Sequence, residues 1–217
     1  MTATRTSDLI AVFGGTFDPV HYGHLRSAYE LAEVLSCDDL RFLPCRNPAL
    51  KSPATATDGQ RLAMLEAAVA GYPQFSVDDR ELHRDGPSYT VDTLEELRGL
   101  QRAAPLCLIV GMDAWADFAR WHRWQDILGL AHIVVAKRPG AAAPGNLHDD
   151  VMQIAEEVTN PADLHNSPAG CIYVHEVTQL EISSSEIRAM LQQGIAPDFL
   201  LPPAVAALIE SSGCYKT

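Results

Sequence analysis

Short apolar runs alternate with amphipathic segments along most of this chain. The runs at 9–13, 40–44, 75–77, 106–110, 132–136 and 171–175 predict strands. Between them apolar residues recur at three- and four-residue steps, as in Leu25, Ala28, Tyr29, Ala32 and Leu35. That spacing predicts helices at 24–36, 58–70, 90–102 and 121–128, with a weaker pattern at 149–158. Strands separated by amphipathic helices make βαβ units, hence an α/β fold with a mainly parallel sheet and helices on both faces. Ligands of such sheets bind beyond the carboxyl ends of the strands, where the strand order reverses. The loops at 45–57, 78–89, 111–119 and 137–145 fall on that edge, and the proline- and glycine-rich stretches 139–145 and 160–170 predict surface loops.

Near the carboxyl end, Ser183, Ser184 and Ser185 precede Glu186-Ile187-Arg188-Ala189-Met190-Leu191, a serine N-cap signal closed by Gly194. Pro202 and Pro203 then open a last helix at 204–211, stopped by Gly213. With no internal repeat and no clear linker, the expectation is a single domain at 1–217, its core at about 8–180 and a helical part at about 181–217.

Composition narrows the classes. At 217 residues, 47% hydrophobic and 20% charged, the chain has ordinary globular usage and needs no staple. Five scattered cysteines with no Cys-x-x-Cys pair argue against a disulfide framework or a cysteine zinc site. A net charge of -12 and a pI near 5.0 disfavour broad nucleic-acid binding. The longest apolar run, near 106–112, is far short of a membrane span. Residues 1–8 carry no signal-peptide pattern, so the expected compartment is the cytoplasm. A small phosphate-bearing ligand needs only a local cationic cluster, for which Arg46, Lys51, Lys137, Arg138 and Arg188 are candidates.

The chemistry concentrates between the first strand and the first helix, where residues 14–24 read Gly-Gly-Thr-Phe-Asp-Pro-Val-His-Tyr-Gly-His. A glycine-rich turn running into a helix start aims backbone N–H groups and the positive helix end at one spot, an anion site. Gly14 and Gly15 are expected to form the turn and to let a phosphate approach the backbone. Gly23 clears space beside His21 and His24, whose imidazoles can donate to phosphate oxygens and stabilise charge as phosphorus is attacked. Two other readings stay open: a packed core histidine, or a His-x-x-His metal site, for which no third ligand is obvious. The Walker and Gly-x-Gly-x-x-Gly patterns are both absent.

Residues 14–24 resemble the signature of the adenylyltransferase branch of the nucleotidyltransferases, in which His-x-Gly-His, here His21, Gly23 and His24, binds the triphosphate. Residues 182–188, Ile-Ser-Ser-Ser-Glu-Ile-Arg, resemble the family's Ile-Ser-Ser-Thr-x-Ile-Arg. The stretches 87–94, 110–113, 121–124 and 137–140 are similar to those of bacterial nicotinate-mononucleotide adenylyltransferases, so the matches span nearly the whole chain. The resemblance implies a Rossmann-like doubly wound sheet and transfer of an adenylyl group from ATP to nicotinate mononucleotide, giving deamido-NAD and pyrophosphate.

The resemblance also implies roles. His21, His24 and Arg188 would be catalytic phosphate ligands. Gly14, Gly15, Thr16, Phe17, Gly23, Gly111, Asp113, Ile182, Ser183 and Ser184 would bind ATP, Asp113 through a ribose hydroxyl. Tyr89, Thr90, Trp121, His122 and Lys51 would bind the mononucleotide, Trp121 stacking on the pyridine ring. Read locally, the serines are also an N-cap, Asp113 also an N-cap, and Trp121 also core. Where the family has Pro-Pro-His-Lys or Pro-Pro-His-Arg, this chain has Pro48-Ala49-Leu50-Lys51, which keeps the cation and drops the histidine. Lys51 reads equally as a solvated loop lysine. Mg²⁺ would arrive with ATP, since no carboxylate cage is apparent. The implied partners are the two small substrates, with no nucleic acid and no membrane, and self-association as a homo-oligomer is left open. Phosphopantetheine or nicotinamide mononucleotide as acceptor, and a non-catalytic nucleotide sensor, are the alternatives.

Overall fold

A computed structural model describes residues 8–48, 53–140, 151, 154–178 and 180–216 of the chain. Its strands are β1 (Ile10–Gly15), β2 (Asp39–Pro44), β3 (Phe75–Val77), β4 (Leu106–Gly111), β5 (His132–Lys137), β6 (Glu156–Val158) and β7 (Cys171–Glu176). They form one sheet in the order β3-β2-β1-β4-β5-β7-β6, with every neighbouring pair parallel. The order runs outward from β1 through β2 to β3 and from β4 through β5 to β7, with β6 beyond β7 at the edge, so the reversal point lies between β1 and β4. The alternation of strands and helices predicts this parallel sheet, and its doubly wound, Rossmann-like order is the one that the resemblance implies.

Alternate residues of each strand feed opposite cores, as the two-residue strand period requires. Ala11 of β1, Cys107 and Ile109 of β4 and Val134 of β5 join one cluster. Ile10 and Val12, Leu108 and Val110, and Ile133 and Val135 join the other. The first cluster is covered by α1 (Tyr22–Val34) and α2 (Asp58–Val69), through Leu25, Ala28 and Leu31 and through Met64, Leu65 and Ala68. It also takes Ile187 of α6 (Ser184–Gln192) and Val205 and Ile209 of α7 (Pro203–Ser212), so the carboxyl-terminal helices complete the core. The second cluster is covered by α3 (Thr90–Leu100), α4 (Met112–Ala116) and α5 (Trp124–Leu130). Among the described residues no helix is long and apolar enough to cross a membrane.

Four local expectations need correction. Residues 156–158 of the weak helical pattern form β6, whose backbone pairs with Cys171–Tyr173 of β7, and sheet pairing there overrides a marginal helical period. Gly14 and Gly15 finish β1 in register with Leu43 and Pro44 rather than making a turn. The helix expected at 121–128 begins at Trp124, because Arg123 adopts a left-handed conformation (φ 51°) and leaves Trp121 extended. The loop expected at 160–170 contains a 3-10 turn, Pro161–His165, capped by the Asn160 side chain.

Candidate active site

Every residue group that the sequence singles out, Lys51 apart, comes from the carboxyl edge of the sheet or the segments that follow it. Lys51 and Leu50 lie outside the described residues. β1 opens the site. Gly14 is exposed, and a β-carbon there would meet nothing within 4 Å, so ligand can reach its backbone, whereas a β-carbon on Gly15 would stand 2.9 Å from the Phe17 ring. The chain turns at Phe17 (φ 48°), which is 2% exposed and packs edge-on against Phe13, Phe42 and His24. Arg61, fully buried on α2, supports the preceding residue by donating to the Thr16 carbonyl oxygen at 2.7 Å and to Asp58 at 2.6 Å.

His21 occupies the N-cap of α1, and His24 follows in its first turn. Their rings stack, with centroids 3.8 Å apart and planes 27° from parallel. A β-carbon at position 23 would meet the His21 Nδ1 and Cε1 atoms at 2.9 Å, so glycine is what allows the pair to form. His21 is buried, and burial lowers its pKa from 6.5 to about 4. It is therefore a neutral imidazole at physiological pH, with one N–H to donate, and its Nδ1 is a buried polar atom with no hydrogen-bond partner among the described residues.

The serine helix docks against the same turn. Ser183 caps α6 by accepting from the Ser185 N–H at 3.2 Å, and Ser184 Oγ donates to the Pro19 carbonyl at 2.9 Å. Arg188 Nη1 donates to the Asp18 carbonyl at 2.6 Å, while Nη2 donates to Ser185 Oγ at 3.2 Å. Ile182 packs against the first core cluster. The N-cap reading and the proximity to the histidine turn thus hold together. Asp18 joins these parts, and no local sequence pattern gives it that role. Buried at 4% exposure, it accepts from the backbone N–H groups of Thr55 (2.7 Å) and Ala56 (3.0 Å) and from the Tyr215 hydroxyl (2.7 Å). Its partners lie far away in the chain, and only its place inside the motif could have flagged it.

Across the reversal point, β4 ends at Gly111, exposed and with open space where a side chain would be. Gly111 itself is the N-cap of α4, so the capping alternative for Asp113 is corrected: Asp113 stands exposed in the first turn. Tyr89 is the N-cap of α3, with Thr90 its first residue, and the Tyr89 ring lies 4.3 Å from that of His122. Trp121 is half-buried and tilted against Phe118 at 5.5 Å. Ser88 ties this corner to the loop after β2, bridging to Pro48 and accepting from the backbone N–H groups of Arg46 and Asn47. Of the candidate cations, Arg46 pairs with Asp85 at 3.2 Å and Lys137 with Glu176 at 3.0 Å, whereas Arg188 reaches the histidine turn. Among the described residues no group of three or more His, Cys, Asp or Glu side chains is placed to hold a metal ion. A cavity of about 570 Å³ lies at the other end of the strands, against Leu9, Pro105 and His165.

This arrangement sets two imidazoles, two helix starts and a guanidinium around one open strand end. Such a set of donors can hold and neutralise a polyphosphate without supplying a nucleophile. An aromatic corner on the adjoining loops can hold a flat ring. Residues 12–190 match the family model described as Cytidylyltransferase-like. The "Probable nicotinate-nucleotide adenylyltransferase" of Methylococcus capsulatus is 48% identical over 210 residues, covering 95% of this chain and 99% of that protein. The enzyme of that name from Acidithiobacillus ferrooxidans is 44% identical over 217 residues, covering 99% of each. Among solved structures, the Plasmodium falciparum nicotinic acid mononucleotide adenylyltransferase complexed with NaAD superimposes with a TM-score of 0.71 at 19% identity, covering 95% of this chain and 97% of that one, a likeness of fold. With such identity over nearly its whole length, the chain belongs to the nicotinate-nucleotide adenylyltransferases of the cytidylyltransferase-like family.

Proposed function

We propose that this protein catalyses attack of the 5′-phosphate of nicotinate mononucleotide on the α-phosphorus of ATP, forming deamido-NAD and releasing pyrophosphate. One P–O bond forms to the mononucleotide phosphate and one breaks to the pyrophosphate leaving group. The observation that carries the reading is the docking of the α6 start, with Ser184 and Arg188, onto the turn that presents His21 and His24. The attacking phosphate is already ionised at neutral pH, so no general base is required. Catalysis then consists of positioning and electrostatic stabilisation.

In this reading His21, His24, Ser183, Ser184 and Arg188 grip the phosphates, and Gly14, Gly15, Thr16, Phe17, Gly23 and Ile182 shape the ATP side. Gly111 keeps the β4 end open, and Asp113 accepts from a ribose hydroxyl. Tyr89, Thr90, Trp121 and His122 receive the mononucleotide. In this reading Mg²⁺ arrives with ATP and offsets charge on its phosphates. A cytoplasmic location belongs to the same reading.

Parallel kinetics with ATP and either nicotinate mononucleotide, nicotinamide mononucleotide or 4′-phosphopantetheine test it. The expected result is pyrophosphate release together with dinucleotide, at the highest kcat/KM with the acid nucleotide. Turnover only with another acceptor, or ATP binding with no turnover, would overturn the assignment.

A further inference from the structure

Beyond the groups assigned to the phosphates, Tyr215 reaches the histidine turn from behind the last helix. α7 ends at Gly213 in a left-handed conformation (φ 65°), and Tyr215 (φ 72°) turns its side chain back into the core, where it is 5% exposed. Its hydroxyl donates to Asp18 Oδ1 at 2.7 Å, across 197 positions of sequence. Burial, together with the neighbouring Asp18 carboxylate, raises the phenol far above its ordinary value, so it stays a donor throughout the working pH range.

The Asp18 carboxylate therefore has three neutral donors: the Thr55 and Ala56 N–H groups and the Tyr215 hydroxyl. Arg188 stands beside it without closing on it. The Nη1–Oδ2 distance is 3.6 Å, against about 2.7–2.9 Å for a charge-assisted bond, and the short Nη1 bond at 2.6 Å goes to the Asp18 backbone carbonyl instead. Removing the phenolic donor would leave Oδ1 with the Ala56 N–H alone, and the buried carboxylate with two donors in place of three, a less favourable state for a buried charge. Among the groups bonded to or facing Asp18, Thr55 and Ala56 offer backbone donors fixed in place, while Arg188 offers a side chain at 25% exposure that can move. Closure of its guanidinium onto the carboxylate is the geometry that would compensate.

We propose that Tyr215 is a positioning residue for adenylyl transfer: by satisfying Asp18, it keeps the Arg188 guanidinium from closing onto that carboxylate and so leaves it available to the ATP phosphates. The proposal rests on the reading of Arg188 as a phosphate ligand. It gives the carboxyl-terminal tail a part in the site to which it contributes no ligand.

A double-mutant cycle tests it, using the full chain with Tyr215→Phe, Arg188→Ala and the pair, assayed with ATP and nicotinate mononucleotide. Tyr215→Phe keeps the buried ring and removes only the donor. It is expected to lower kcat/KM for ATP about tenfold, with KM for nicotinate mononucleotide unchanged. In the Arg188→Ala background the same change is expected to have no further effect. A purely structural role predicts the same fold-loss in both backgrounds; that result, or wild-type kinetics for Tyr215→Phe, overturns the proposal. Near-normal kinetics for Arg188→Ala alone would instead overturn the phosphate reading, so the two failures are distinguishable. Rates are normalised to the folded fraction read by circular dichroism at the assay temperature. Truncation after Gly213, which removes the tail with no misfitting ring left behind, is taken through the same cycle with the same expectation.

Discussion

His21 is a neutral ring at physiological pH, and the burial that makes it so has a consequence for stability. Its folded-state pKa of about 4 lies below the unfolded value of 6.5, so between those pH values the unfolded chain holds the extra proton. The associated stability is fully present above pH 6.5 and is lost as pH falls toward 4. A shift of that size corresponds to roughly 3 kcal/mol at most. Thermal melting across that window should show His21→Asn losing stability with acid less steeply than wild type. Identical slopes would mean that His21 is not buried as a neutral ring. His132, also buried and shifted in the same direction by burial, is common to both proteins and cancels in the comparison.

The helix starts do most of the work of placing the site, and each is fixed by a different device. α1 begins at His21 without a side-chain cap, its first N–H, on Tyr22, donating instead to the Leu200 carbonyl of the segment before α7. α6 begins with the Ser183 cap. α2 has a full capping box, in which Thr57 Oγ1 accepts from the Gln60 N–H while the Gln60 side chain accepts from the Thr57 N–H. That box holds the helix carrying Arg61, whose guanidinium supports the Thr16 carbonyl. Thr57→Ala should remove about 1 kcal/mol, lowering Tm by about 2–4 °C for a chain of this size. Differential scanning calorimetry reads this directly, and an unchanged Tm would show that the cap contributes nothing.

At the scale of the whole molecule, the sheet is legible in the sequence because both faces of a parallel sheet are buried, which makes β1, β4 and β5 continuous apolar runs. β6 is not, since three residues at a sheet edge, two of them the exposed Glu156 and Glu157, carry no apolar run. The expected turn of the histidine motif falls on Gly14 and Gly15 because glycine is the usual sign of a turn. The actual turn residue, Phe17, is held at positive φ by long-range packing against Phe42 and the rest of its aromatic cluster, which no local pattern encodes. The candidate site is legible as residue types through the 14–24 and 182–188 motifs, but not as an assembly. The motifs meet through Ser184 on the Pro19 carbonyl and Arg188 on the Asp18 carbonyl, and the first motif is held by Thr55, Arg61 and Tyr215, ordinary residues locally that lie tens to nearly two hundred positions away.

In the proposed reaction the histidine turn holds the ATP phosphates during adenylyl transfer. The most direct measurement is turnover of His24→Ala with saturating ATP and nicotinate mononucleotide, beside a circular dichroism spectrum of the same preparation. A fall of about 10²–10³ in kcat with the spectrum unchanged is expected. Turnover within twofold of wild type would contradict it.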